Sequence, residues 1–143
     1  MNRPEKALEL HHSRRNCAQC IACAFGDVLK EDEQTLFRMA EAFGGGMGCM
    51  KTCGAVTAMG MVIGLYGSDG NLEKPGTKGK SAKLMRQAIA MFEERNGSTV
   101  CSELKGVGTG KVLRSCDGCV TDAAEILDKL LFDIDYDEPL TAK

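Results

Sequence analysis

Apolar residues recur along most of the chain at the three- and four-residue spacing of an amphipathic helix. Leu36, Met39, Ala40 and Phe43 illustrate the pattern, because they fall on one stripe of a helix. No segment alternates apolar and polar residues convincingly, so we expect no β-sheet. The pattern predicts helices over residues 4–12, 17 to about 29, 33–43, 53 to about 66, 81–95, 99–104 and 119–132.

A glycine-rich segment interrupts this pattern. Residues 43–48 read Phe-Gly-Gly-Gly-Met-Gly, and so many glycines cannot form the interior of a helix. The helix predicted after this loop is apolar on nearly all sides, which is typical of a buried helix. We therefore predict an all-α, single-domain bundle of about five to six helices over residues 1–143. It has a buried central helix after the Gly-rich loop and an acidic C-terminal tail from about residue 133.

Composition and charge exclude several classes of function. The 143 residues carry a formal net charge of -2 and no Trp, so the chain lacks the basic surface and stacking platforms of nucleic-acid-binding proteins. The longest apolar stretch, residues 55–66, is too short to span a bilayer. The N-terminus is polar and lacks the apolar core of a secretory signal. We therefore expect a cytoplasmic protein without a membrane span.

The eight cysteines are the strongest chemical signal in the chain. In a reducing compartment they should not be structural disulfides, and their spacing is regular. Seven of them lie three or four residues from another cysteine, and Cys101 is isolated. The groups are Cys17 with Cys20 and Cys23, Cys49 with Cys53, and Cys116 with Cys119. On helices such neighbours share a face, and soft thiolates select iron–sulfur clusters, zinc or Cu(I).

Three functions fit these thiols. The first is an electron-transfer module with a redox metal centre. The second is a thiol–disulfide or sulfur-handling oxidoreductase, with Cys116 and Cys119 of the segment Cys-Asp-Gly-Cys as its catalytic dithiol. The third is a Cu(I) or zinc binding or storage protein. Enzymatic activity, the redox partner protein and homodimer formation are left open by the sequence.

The glycine loop and the cysteine after it form a second signal. Gly45 and Gly46 would let backbone amides approach a bound anion. Cys53 begins the next predicted helix, where the helix dipole is expected to stabilise its thiolate and lower its pKa. His11 and His12 lie on a polar first helix and are expected to be solvated rather than to bind a metal.

These motifs, in this order, resemble a known family of redox-active proteins named for the pattern C_GCAxxG_C_C. The matching pieces are Asn-Cys-Ala-Gln at 16–19, the glycine loop at 43–48, Thr-Cys-Gly-Ala-Val-Thr at 52–57, Cys-Ser-Glu-Leu at 101–104, and a last cysteine followed by residues 120–127. The family is related to a domain of split-Soret cytochromes that holds an iron–sulfur centre. The resemblance therefore implies a helical fold and an iron–sulfur cluster.

The resemblance also implies the residues of the site. The hallmark cysteines of the family, which would ligate the metal, correspond to Cys17, Cys53, Cys101 and Cys116. The glycines expected to complete the cofactor-binding site are Gly45, Gly46 and Gly54. Ala58 stands where the family motif has glycine. The cysteines beyond the hallmark set are expected to form a second layer of thiols, as secondary ligands; they are Cys20, Cys23, Cys49 and Cys119.

Overall fold

The computed structural model describes residues 1–136, and helices make up its regular secondary structure. The helices are α1 (Arg3–His12), α2 (Cys17–Ala24), α3 (Gly26–Leu29), α4 (Glu33–Ala40), α5 (Gly54–Gly67), α6 (Lys78–Asn96), α7 (Cys101–Lys105) and α8 (Cys116–Phe132). A 3₁₀ turn, Glu41–Phe43, follows α4. The all-α prediction is confirmed, and the end of the predicted acidic tail lies outside the described residues. Among the helices described, none is both long and apolar enough to cross a bilayer.

Several helix boundaries differ from the sequence prediction: α4 ends at Ala40, α6 begins at Lys78, α7 begins at Cys101, and α2 and α8 differ as well. The helix predicted from residue 17 to about 29 is divided at Phe25, where φ is -100° and ψ is -1°. Gly26 follows the break and packs closely on α4, because an added Cβ would lie 3.0 Å from Leu36 Cδ1. Helix α8 begins at Cys116 rather than Cys119, because the Ser115 hydroxyl accepts a hydrogen bond of 3.0 Å from the Gly118 amide and caps the helix there.

Helices α2, α5 and α8 form the centre of the bundle. Helix α5 contacts α2, α6 and α8, in agreement with its predicted central position. Helix α2 is as deeply placed, since every residue after Cys17 in it is buried. Helix α1 packs along α8, and its last turn meets the first turn of α8. This arrangement brings the N-terminal ends of α2, α5 and α8 to the same side of the core, with α7 beside them.

Candidate metal centre

Four separate segments of the chain meet at one cavity of about 180 Å³. Its wall contains the cysteines that begin or precede α2, α5, α7 and α8, which are Cys17, Cys53, Cys101 and Cys116. Its other lining residues are His11, Asn16, Gly45, Leu104, Lys105, Arg114 and Cys119. The four hallmark cysteines, of which the first and last are 99 residues apart in the chain, therefore line the same cavity.

Each hallmark cysteine lies at the start of a helix. Cys17, Cys101 and Cys116 are the first residues of their helices, and Cys53 is the N-cap of α5. Asn16 fixes the start of α2 through a capping box, in which its side chain accepts hydrogen bonds from the amides of Ala18 and Gln19. Helix N-termini carry unpaired amides and a partial positive charge, so they favour an anionic group between them.

A short antiparallel pairing holds two of these cysteines together. The Cys53 amide donates to the Thr99 carbonyl at 2.8 Å, and the Cys101 amide donates to the Lys51 carbonyl at 2.6 Å. Between these two bonds Thr52 and Val100 form an isolated β-bridge. The bridge fixes the spacing of Cys53 and Cys101 before either helix begins, so the backbone sets this half of the site.

The glycines allow the backbone to approach the thiols closely. A Cβ on Gly54 would lie 2.5 Å from Cys17 Sγ and 2.7 Å from the Phe43 carbonyl, so no side chain fits there. A Cβ on Gly46 would lie 2.8 Å from Cys101 Cβ. Gly45 and Gly46 also have φ values of 64°, in the left-handed region that favours glycine. The backbone amides of Gly45 and Gly54 interact with the Cys17 sulfur and oppose the rise of its pKa.

As free thiols, the central cysteines hold their protons. The neighbouring Cys53 side chain, together with burial, raises the pKa of Cys17 far above its ordinary value. A hydrogen bond to Cys119 raises the pKa of Cys53 to about 12, and burial contributes. Burial also raises the pKa of Cys101. The expectation that the helix dipole lowers the pKa of Cys53 is therefore wrong, because thiol contacts and desolvation outweigh the dipole.

Two cationic side chains line the cavity. Arg114 is 2% exposed and lies in the cavity wall. Its guanidinium donates to both carboxylate oxygens of Asp122, at 3.0 and 3.2 Å, and it crosses α8 at Gly118, where an added Cβ would collide with it. Lys105 lies beside Cys116, whose charge raises the pKa of the Lys105 ammonium. Because the charge of Arg114 is paired with Asp122, Lys105 is the cation of the wall that favours negative charge on the thiols.

Comparison with known proteins identifies the family of this chain. The model of a family described as "Putative redox-active protein (C_GCAxxG_C_C)" matches residues 15–130, a span that includes all eight cysteines. The chain belongs to this family. No curated protein and no solved structure matches the chain. The resemblance read from the motifs is thus confirmed, and the protein is a cysteine-rich, redox-active type of all-α protein.

The cysteines beyond the family's hallmark set are placed differently from one another. Cys119 lines the cavity and lies beside Cys53, whose pKa it raises. Cys20 is fully buried and its thiol donates to the Cys17 carbonyl at 3.3 Å, whereas the Cys23 thiol donates to the Glu33 carbonyl at 3.8 Å. Cys49 is exposed and lies in the turn at residues 46–50, before α5, where Met47 and Gly48 have left-handed backbone angles. The structure therefore brings only Cys119, of these four, to the cavity wall.

Sequence reasoning missed three polar residues of the wall. His11 was expected in solvent, yet it lines the cavity because the end of α1 packs on the start of α8. Arg114 and Lys105 lie in segments without a recognisable motif. The one signal for Arg114 was Gly118 between two cysteines, since a glycine in the first turn of a helix indicates that another group approaches the backbone.

The raised thiol pKa values predict how stability depends on pH in the metal-free protein. An unfolded cysteine loses its proton near pH 8.5, whereas folded Cys53 keeps it to about pH 12. Between these values the unfolded chain binds fewer protons, so the free energy of unfolding should fall as pH rises, by up to about 1.4 kcal/mol per pH unit for this thiol. Urea denaturation of chelator-treated protein above about pH 8.5 measures it. Cys53→Ala should give a shallower slope, and an equal slope would contradict the prediction.

Proposed function

We propose that this protein is an electron-transfer module that holds an iron–sulfur cluster through Cys17, Cys53, Cys101 and Cys116. The observation that carries the proposal is the meeting of four helix starts, each with a cysteine, at one cavity. Four thiolates are the usual ligand set of such clusters. The clustering of thiols is typical of a metal site, whereas cysteines that serve as small core residues need not face a common space.

The cavity wall suits a cluster in its burial and in its charge. Cys53 is 6% exposed and Cys101 is 4% exposed, so water is largely excluded from these ligands. Lys105 offsets part of the negative charge that four thiolates bring, because its ammonium interacts electrostatically with Cys101 and Cys116. The amides of Gly45 and Gly54 are available to the Cys17 sulfur. Hydrogen bonds to sulfur, burial and net charge are the levers by which proteins set the potential of such a cluster.

The residues of the chain have defined roles in this proposal. The four cysteines hold the cluster, which when bound supplies the transfer of single electrons. The bridge between Thr52 and Val100 keeps two ligands in register, and Gly54 leaves room for the Cys17 sulfur. We retain the cytoplasm as the proposed location, because eight free cysteines suit a reducing compartment.

The thiol pKa values favour metal binding over thiol–disulfide exchange. A nucleophilic cysteine needs a low pKa, so that thiolate is present near neutral pH. The pKa values of Cys17, Cys53 and Cys101 are raised instead. A metal ion overcomes this barrier, because coordination displaces the thiol proton. The Cys116–Cys119 dithiol, which lines the same cavity, is the part of the site on which the oxidoreductase alternative depends.

Anaerobic reconstitution tests the proposal. The purified full chain is incubated with ferrous iron and sulfide under reducing conditions, desalted, and analysed for iron, sulfide and visible absorption. We expect a brown protein with bound iron and sulfide and an absorption that bleaches on reduction. A colourless protein that binds several zinc or copper ions would support the storage alternative. A colourless, metal-free protein whose thiols cycle reversibly with a disulfide would support the oxidoreductase, and either result overturns the cluster.

A further inference from the structure

Two histidines and an aspartate converge where α1 meets α8, at the edge of the cysteine cavity. The Asp117 carboxylate lies between the two imidazoles, with Oδ1 at 2.7 Å from His11 Nδ1 and Oδ2 at 2.9 Å from His12 Nε2. One nitrogen or oxygen atom from each of the three side chains lies within 4.8 Å of the other two. His11 also lines the cavity, and Asp117 directly follows Cys116.

We propose that His11, His12 and Asp117 form a binding site for a divalent transition-metal ion of the Zn²⁺ or Fe²⁺ type. Two imidazoles and one carboxylate are a ligand set that such ions accept, with water in the remaining positions. This ligand set contains no sulfur, so the metal ions that it prefers differ from those preferred by the thiols beside it. The site is independent of the proposed function, because none of its three ligands belongs to the cysteine set.

The two histidine–aspartate separations are close to what an ion requires. Zinc bonds to nitrogen and oxygen are about 2.0 Å long, which places neighbouring tetrahedral ligands roughly 3.3 Å apart. The observed separations of 2.7 and 2.9 Å therefore need to widen by about half an ångström for the ion to enter. His12 and Asp117 have side chains 58% and 50% exposed, so an ion and its waters can reach them from solvent.

The positions of the histidines also favour a shared ligand. Consecutive residues of a helix point about 100° apart, so adjacent histidines seldom face one partner. Here they lie in the last turn of α1, and the first turn of α8 places Asp117 between their rings. Helices α1 and α8 are regular and pack along each other, so their backbones hold the two imidazoles and the carboxylate near one another before an ion arrives. An ion would tie α1 to α8 beside Cys116.

Histidine NMR tests the site directly, because His11 and His12 are the only histidines in the chain. Zinc is added to the reduced full chain while the imidazole signals are followed. We expect the imidazole signals of both histidines to shift together. If the thiols bind zinc first, these signals should stay unchanged until the thiol sites are full. If neither signal moves once zinc exceeds all eight thiols, the site does not exist.

Matched variants assign the ligands. Asp117→Asn and His12→Gln should weaken the zinc-dependent imidazole shift by at least about tenfold in affinity, since even indirect metal contacts contribute that much. Glu9→Gln is the control, because it removes one carboxylate from the exposed face of the same helix α1. Affinity in this control should stay close to that of the wild type. Zinc binding that is equal in Asp117→Asn and wild type would overturn the proposal, whatever cluster the cysteines hold.

Discussion

Replacing Cys17 by alanine is expected to abolish cluster binding, whereas replacing Cys20 by alanine should leave it intact. Both cysteines lie on α2, one turn apart, and both substitutions remove one sulfur atom. Cys17 lines the cavity and contacts Cys53, while Cys20 points its thiol at the Cys17 carbonyl inside the core. A four-cysteine site cannot lose a ligand without losing its cluster or changing its type. Iron per chain after anaerobic reconstitution measures the difference.

The same comparison applies at the start of α8, where two cysteines line the cavity. Our proposal takes Cys116 as the fourth ligand, and Cys119 is the neighbour that raises the pKa of Cys53. Cys116→Ala should therefore lose iron as Cys17→Ala does. Cys119→Ala should retain iron but shift the reduction potential, because contacts to the ligand sulfurs tune it. Retention of full iron in Cys116→Ala together with its loss in Cys119→Ala would reassign the fourth ligand.

Local sequence signals were sufficient to predict the helices and the family, because both depend on patterns within short segments. Helical periodicity and the family motifs located most elements. The start of α8 was missed because Ser115 was not recognised as its cap, although its hydroxyl accepts from the Gly118 amide. The break at Phe25 depends instead on contact between Gly26 and Leu36, which belongs to another helix and leaves little trace in the local pattern.

The wall of the site depends on tertiary contacts that local patterns do not contain. His11 looked like an exposed residue of a polar helix, and only the packing of α1 on α8 brings it to the cavity. The raised pKa of Cys53 has the same origin. The helix start was correctly located at this residue, but the neighbouring thiols and the burial that dominate its pKa come from α2 and α8. Sequence reasoning therefore identified cysteines that line the cavity and misjudged their environment.

Arg114→Met should destabilise the protein by about 3 kcal/mol, since removing one partner of a buried ion pair leaves an uncompensated charge. Asp122 is 1% exposed and would lose both hydrogen bonds from the guanidinium. It would keep Arg95 at 3.1 Å and Asn96 at 3.0 Å, so we expect the lower end of the usual 3–5 kcal/mol range. Urea denaturation of the metal-free chain measures the change without interference from a cluster.

Two further variants separate the lost ion pair from the lost side chain. Arg38→Met makes the same substitution at an exposed position of α4 and should change the free energy of unfolding by less than about 0.5 kcal/mol. Arg114→Met combined with Asp122→Leu removes both charges and should recover part of the stability, because apolar pairs replace buried ion pairs at little cost. Arg95 would still have Glu125 at 2.8 Å. If Arg114→Met costs less than about 1 kcal/mol, Asp122 does not depend on Arg114, and the cation in the cavity wall is held by packing alone.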